Sequence, residues 1–242
     1  MVKLLTCLWL CALALCSGCV SGGFDTSTIA KESMASVVKI KVKYVKIDTL
    51  TLVKSRLMIT ATGFSVISEK GNSLILTNKH VCLNKSDGVY SLVLSNGNEV
   101  AAGFVRSDSF ADLCVLITAN TIPALPLSKY NGSQTDKVMA IGAPVGVFPV
   151  ITEGFISGYE EINTSDMNTD DDDKGFQVHF RGQIMSTPIT HGSSGSPVFN
   201  SSGNVVGIVF AVNTTFNNIS FMVPVSEIIR FLDRNEYVSS NQ

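Results

Sequence analysis

The 242-residue sequence predicts an all-β protein: two six-stranded antiparallel β-barrels followed by a C-terminal helix. Three observations carry this reading. Short runs of alternating or continuous apolar β-formers recur along the chain, turn chemistry separates them, and a connector rich in Pro, Asn, Gly and Ser splits them into two sets of six. A hydrophobic share of 45% against 16% charged residues supplies a core for that many strands and sets the chain apart from disordered segments.

Taken in order, the first set falls at 36–45, 59–67, 73–77, 90–94, 99–105 and 112–117. The opening run carries Lys39, Lys41, Lys43 and Lys46 largely alternating with apolar residues, the pattern of a strand with one wet face. Glu69-Lys70-Gly71-Asn72 and Ser95-Asn96-Gly97-Asn98 are hairpin turns. The second set falls at 137–142, 150–157, 176–180, 197–199, 205–212 and 219–224. From Ser226 to Asp233 apolar residues follow helical spacing behind a Ser cap. The organisation expected is a leader at 1–18, a linker at 19–35, barrels at 36–118 and 136–224 joined by a connector at 119–135, and a helix with tail at 225–242.

One segment points to chemistry. In His191-Gly192-Ser193-Ser194-Gly195-Ser196-Pro197-Val198-Phe199 a serine sits between glycines just before a buried strand. Such a turn lets the N–H groups of Gly192 and Ser194 converge where a carbonyl oxygen would become negatively charged, an oxyanion hole. A Gly/Ser turn alone is usually only a loop, but two further segments join it. Leu76-Thr77-Asn78-Lys79-His80-Val81 delivers a histidine at a strand end, and Asp112-Leu113-Cys114-Val115-Leu116 opens an apolar strand with an acid. His80, Asp112 and Ser194 then follow in chain order, 32 and 82 residues apart, an order found in one of the convergent catalytic triads and absent from two others. Asp108 is the rival carboxylate; the strand-opening context favours Asp112.

With these segments the chain resembles the trypsin-like (chymotrypsin-fold) serine proteases, nearest their bacterial HtrA/Deg and glutamyl-endopeptidase branches. Thr62-Gly63-Phe64-Ser65-Val66, Ala140-Ile141-Gly142-Ala143-Pro144-Val145-Gly146, Thr152-Glu153-Gly154-Phe155-Ile156-Ser157-Gly158 and Gly203-Asn204-Val205-Val206-Gly207-Ile208 extend the match, which runs from about Ser36 to Leu232. The resemblance implies an active site between the barrels. There Ser194 is the nucleophile, His80 its base and Asp112 the group orienting that base. The substrate is an extended polypeptide, and no cofactor is needed. Ser193 stands where Asn or Asp is commoner, and Ser196 where Gly is commoner. Ile189, Thr190, His191, Val209, Phe210 and Ala211 are the expected substrate-binding residues. Ile189 and Val209 occupy positions where glutamyl endopeptidases carry the Thr and His that bind an acidic side chain, so the pocket for the residue before the cleaved bond (P1) is expected to be apolar. The alternative is a chaperone-like or peptide-binding protein on the same fold with latent catalysis. The PDZ domain typical of HtrA proteins is not expected.

The remaining features bound partners and location. A net charge of −2 offers no field for nucleic acid, and no His/Cys/Asp cluster has zinc spacing. His179 reads as a strand-surface residue and Asp170-Asp171-Asp172-Asp173-Lys174 as a solvated acidic loop. Met1-Val2-Lys3 and the apolar run Leu4 to Cys16 form a secretion leader, too short for a membrane span. Leu15-Cys16-Ser17-Gly18-Cys19 resembles a bacterial lipobox with Cys19 as lipid acceptor, ordinary signal-peptidase cleavage being the alternative. The expectation is an exported protein, periplasmic or at the cell surface, touching membrane only through that lipid. Cys82 and Cys114 are read as two buried free thiols, with a bridge as the alternative.

Overall fold

The computed structural model describes residues 24–47, 51–69, 72–82, 88–163, 178–212 and 219–234. The leader, Cys19 and the Asp170 to Lys174 run lie outside the described residues. The elements are α1 (Thr26–Ser33), β1 (Val37–Ile47), β2 (Lys54–Glu69), β3 (Asn72–Asn78), the one-turn α2 (Lys79–Cys82), β4 (Val89–Val93), β5 (Glu99–Asp108) and β6 (Leu113–Thr118). They continue with β7 (Lys137–Gly142), β8 (Val150–Asn163), β9 (His179–Met185), β10 (Pro197–Phe199), β11 (Val205–Val212), β12 (Ser220–Pro224) and α3 (Val225–Asp233). The fold is therefore all-β with two six-stranded antiparallel sheets. In the first the order is β1-β2-β3-β6-β5-β4, with β4 returning to pair with β1. In the second it is β10-β11-β12-β9-β8-β7, with β7 returning to β10.

Alternation sets the faces. On β1, Val38, Ile40 and Val42 are fully buried, while Lys41 turns outward and pairs with Glu99 at 2.6 Å. Register shifts between Ser65 and Ile67 on β2 and between Phe104 and Arg106 on β5 bend the sheet, as closing a small barrel requires. Ile40, Ile75, Leu92 and Leu116 fill the first barrel; Val138, Ile156, Val198 and Met222 fill the second. A third cluster lies between them, with Phe64, Leu76 and Val115 from one sheet against Met139, Phe199 and Ile208 from the other. Strands facing it are covered on both sides. In β6, Cys114 and Leu116 enter the barrel and Leu113 and Val115 the junction.

The free-thiol reading of Cys82 and Cys114 is corrected: the two form a disulfide, with Cα atoms 6.5 Å apart. It joins α2 to β6 inside the first barrel's core. The one-turn helix brings Cys82 to Cys114, a tertiary approach that no local pattern encodes.

The first and last described segments lace the barrels together. Part of the stretch read as a linker is α1, capped by Asp25, whose Oδ1 accepts from Thr28 N–H at 3.1 Å. Ile29 and Ala30 bury themselves in the junction, Thr26 Oγ1 donates to Glu153, and Lys137 lies 4.9 Å over the Phe24 ring while pairing with Glu153. At the other end α3 lays Ile228 and Phe231 on the junction, and Arg106 of β5 donates to the carbonyls of Phe231 and Leu232, each at 3.3 Å. The helix starts one residue before Ser226, whose N–H is capped by Asn131 Oδ1 at 3.0 Å, so the cap comes from the connector rather than from Ser226 itself. No described helix is long and apolar enough to cross a membrane.

Candidate active site

β3 delivers its C-terminal end to the start of β6. Asn78 Nδ2 and Lys79 N–H both donate to Asp112 O, at 3.2 and 2.9 Å. This holds Asp112 at φ 52°, a left-handed conformation that Asp and Asn tolerate better than other side chains. Its carboxylate is 0% exposed and faces His80 with both oxygens: Oδ1 accepts from His80 N–H at 2.8 Å, and Oδ2 lies 2.6 Å from Nδ1. An ionised carboxylate only accepts, so the ring proton belongs on Nδ1 and Nε2 keeps its lone pair. Burial pushes the Asp112 carboxyl above the ordinary carboxylate range, while the charge and hydrogen bonds of His80 pull it back. Asp108 turns away, accepting from Phe110 N–H at 2.8 Å and pairing with Arg234 at 3.5 Å. The half-exposed His80 ring meets the edge of Phe210, centroids 6.4 Å apart.

The turn carrying Ser194 can be followed peptide by peptide. Every carbonyl from His191 to Ser194 is held: His191 O by Val145 N–H at 2.7 Å, Gly192 O by Thr62 Oγ1 at 2.8 Å, Ser193 O by Ser196 N–H at 3.0 Å and Ser194 O by Thr62 N–H at 2.8 Å. Of the N–H groups, Ser193 donates to Thr190 O at 2.9 Å and Gly195 to Val209 O at 3.0 Å. Among the described residues, neither Gly192 N–H nor Ser194 N–H has a protein acceptor. Gly192 and Gly195 stand at φ 93° and 87°. A Cβ at Gly192 would overlap Ala143 O, and one at Gly195 would overlap Thr62 O and Thr77 Oγ1, so the backbone approach admits only glycine there. The Ser196 hydroxyl is buried against Gly142, where a Cβ would overlap it, and among the described residues it has no hydrogen-bond partner.

The expected substrate-binding residues do not share one surface: Val209, Phe210 and Ala211 lie on β11, and Ile189, Thr190 and His191 lie in the segment before the Ser194 turn. Val209 is buried in the second barrel's core, and Ile189 packs against that same cluster. Phe210 points the other way, to the junction, with its ring 5.5 Å from Phe180 and beside His80. Ala211 packs at the junction edge, and Thr190 and His191 are exposed. Contacts that local sequence patterns did not signal are those of Thr62, Val145 and Phe210. Among the described residues no group of three or more His, Cys, Asp or Glu could hold a metal ion.

The sequence and the fold both have relatives among known proteins. Residues 61–208 match the trypsin-like peptidase domain family. The chain is 30% identical over 179 residues to the mitochondrial serine protease HTRA2 of Drosophila willistoni, covering 73% of this chain and 39% of that protein. The Drosophila virilis counterpart gives the same identity, with 40% of its length covered. The chain thus spans about two fifths of the length of these relatives. Among solved structures, the HtrA-type protease AlgW with a decapeptide superposes with a TM-score of 0.70 at 22% identity, covering 84% of this chain and 64% of that one. The inactive form of Rv3671c from Mycobacterium tuberculosis H37Rv gives 0.67 at 20% identity, covering 90% and 93%. The match spans His80, Asp112 and Ser194, and by it the chain belongs to the trypsin-like peptidase domain family.

Proposed function

We propose that the chain is a serine endopeptidase that hydrolyses polypeptides through an acyl-enzyme. Ser194 is the nucleophile, His80 the general base and acid, and Asp112 the group that fixes the imidazole tautomer. The observation that carries this reading is the pair of unclaimed N–H groups at Gly192 and Ser194, set in a turn whose carbonyls from His191 to Ser194, and whose Ser193 and Gly195 N–H groups, are all bonded. Two convergent donors are what a tetrahedral oxyanion needs.

Ser194 Oγ attacks the peptide carbonyl carbon and its proton passes to His80 Nε2. The carbonyl electron pair moves to oxygen, which the Gly192 and Ser194 N–H groups receive. Collapse breaks the C–N bond, and Nε2 returns the proton to the departing amine. Water then attacks the acyl ester, giving its proton to the same nitrogen, which finally protonates Ser194 Oγ as it leaves. Asp112 stays ionised throughout and stabilises the imidazolium.

The substrate is an extended polypeptide. With Ile189 and Val209 at the pocket positions, a charged P1 group would lose its solvation without a partner, which costs several kcal/mol. Cleavage after aliphatic residues is expected, and the leader at 1–18 directs the protein to export. Labelling with a fluorophosphonate probe tests the assignment: wild type is labelled and cleaves peptides, and Ser194→Ala does neither. Turnover by purified Ser194→Ala overturns it. A peptide-library profile dominated by Glu, Asp, Lys or Arg at P1 overturns the pocket, and Val209→His is expected to shift preference toward Glu.

A further inference from the structure

Thr62 belongs to the first barrel, yet its contacts converge on the turn of the second. Its buried hydroxyl (residue 0% exposed) accepts from Ala143 N–H at 2.9 Å and donates to Gly192 O at 2.8 Å. Its backbone N–H donates to Ser194 O at 2.8 Å, and its carbonyl accepts from Thr77 Oγ1 at 2.7 Å. The side chain thus spans two segments distant from it in sequence, while the main chain makes its own separate bonds.

Those two segments control one peptide plane. Gly192 N–H lies in the plane of His191 C=O, and that carbonyl is held by Val145 N–H at 2.7 Å. Val145 does this from φ 46°, a conformation rare for a β-branched residue, which persists only where surrounding bonds impose it. Gly146 N–H on Ala143 O and Val147 N–H on Pro144 O, each at 2.9 Å, close the turn around it, and two bonds anchor that turn to the first barrel: Lys39 Nζ on Gly146 O at 3.1 Å and the Thr62 hydroxyl on Ala143 N–H. Gly192, lacking a Cβ, offers little resistance to rotation of the planes on either side of it.

We infer that the Thr62 hydroxyl is a positioning group for the oxyanion hole: it fixes Gly192 C=O directly and His191 C=O through Ala143 and Val145, and so aims Gly192 N–H. The inference rests on reading that N–H as an oxyanion donor. Thr62→Val keeps the β-branched shape and both backbone bonds but leaves Ala143 N–H and Gly192 O buried without partners. Such groups seek other partners, and here the low-resistance motion is rotation of the peptides flanking Gly192.

The test compares Thr62→Val, Thr62→Ser and Ser65→Ala. Ser65 lies on the same strand and donates to Ile122 O at 3.0 Å, away from the turn, so its loss reports stability alone. Loss of one oxyanion donor lowers kcat about 100-fold or more. Thr62→Val is therefore expected to lower kcat by about 10- to 100-fold with KM within about twofold, Thr62→Ser to stay within about threefold of wild type, and Ser65→Ala to keep wild-type kcat. An unchanged kcat in Thr62→Val overturns the inference. So does an equal loss in Thr62→Ser or Ser65→Ala. A crystal structure of Thr62→Val with His191 and Gly192 carbonyls in their present orientations overturns it whether or not the protein is an enzyme. Failure of wild type to react with the fluorophosphonate overturns the functional reading instead.

Discussion

Asp112→Asn separates the fold from the proposed chemistry. The wild-type carboxylate is 0% exposed, and burying a charge costs several kcal/mol. His80 offsets most of this through two bonds at 2.6 and 2.8 Å, each worth about 1.5–3 kcal/mol for a charged acceptor, and the raised titration of the carboxyl marks the part of the cost that remains. Asparagine has the same shape, accepts φ 52° and still offers its amide oxygen to His80 N–H. Its fold stability is expected within about 1 kcal/mol of wild type, roughly 2–4 °C in thermal midpoint for a domain of this size. Catalysis is not spared. The introduced amide would face Nδ1 with hydrogens of its own, so the imidazole proton moves to Nε2 and the base for Ser194 is lost, at about four orders of magnitude in kcat/KM. The pH dependence has a definite sign. In wild type the folded carboxyl titrates above its ordinary value of 3.8, so the proton is held more tightly in the folded state. The resulting stability is full below the ordinary value and is lost as pH rises through the folded one. The Asp112→Asn variant lacks that loss, so its relative stability improves as pH rises across the interval. Scanning calorimetry at acidic and neutral pH, paired with kcat/KM, measures both arms. A variant that unfolds many degrees earlier at neutral pH, or keeps kcat/KM within tenfold of wild type, refutes the reasoning.

Gly195→Ala places a Cβ into Thr62 O at φ 87°, and a loss of about 3 kcal/mol or more is expected in denaturant titration; an unchanged midpoint would show that the two barrels are not pressed together there. Replacing Cys82 and Cys114 together with Ala opens a 32-residue loop and is expected to cost about 3–4 kcal/mol. Thiol titration of the unreduced, denatured protein checks the premise, since two free thiols from these positions would contradict the bridge. Glu153 is held below the usual carboxylate range by hydrogen bonds from Lys137 and Thr26. Its contribution to docking of the N-terminal helix is present at neutral pH and lost as pH falls through its folded value, a small effect because the group is exposed. Hydrogen exchange over residues 24–36 from about pH 7 to about pH 3 should show that segment loosening before the barrels, and uniform protection across the range would contradict it.

Strand alternation was legible wherever one face meets water, as on β1 with its outward lysines. It faded where a strand is covered twice. Leu113-Cys114-Val115-Leu116 reads as an apolar run because two residues enter the barrel and two enter the junction, so the sequence marked a strand but not which residues face where. β9 begins three residues later than its reading and ends five later, because it continues through Arg181-Gly182-Gln183. There the buried Gln183 donates to Gly132 O at 2.6 Å, a partner supplied by the distant connector. α1 was not legible, since Ile29 and Ala30 are its only well-buried apolar residues and its hold on Glu153 is made across the fold. A helix of eight residues draws its stability from such contacts rather than from propensity.

The segments around His80, Asp112 and Ser194 stood out because each carries its geometry locally: a strand end, an acid that tolerates the left-handed region, glycines at positive φ. What joins them does not. Thr62 reaches Gly192 and Ala143 across separations of 130 and 81 residues, and in the sequence its hydroxyl is indistinguishable from that of any threonine on a strand. The turn is consequently shared. Ser194 O is held from the first barrel by Thr62 and Gly195 N–H from the second by Val209, so the two ends of one peptide unit are fixed by different sheets. The apolar cluster between the barrels keeps those sheets in register. A substitution there that lets them slip by a fraction of a hydrogen-bond length would disturb the turn before it unfolded either barrel, because hydrogen bonds weaken steeply with misalignment whereas each barrel retains a core of its own.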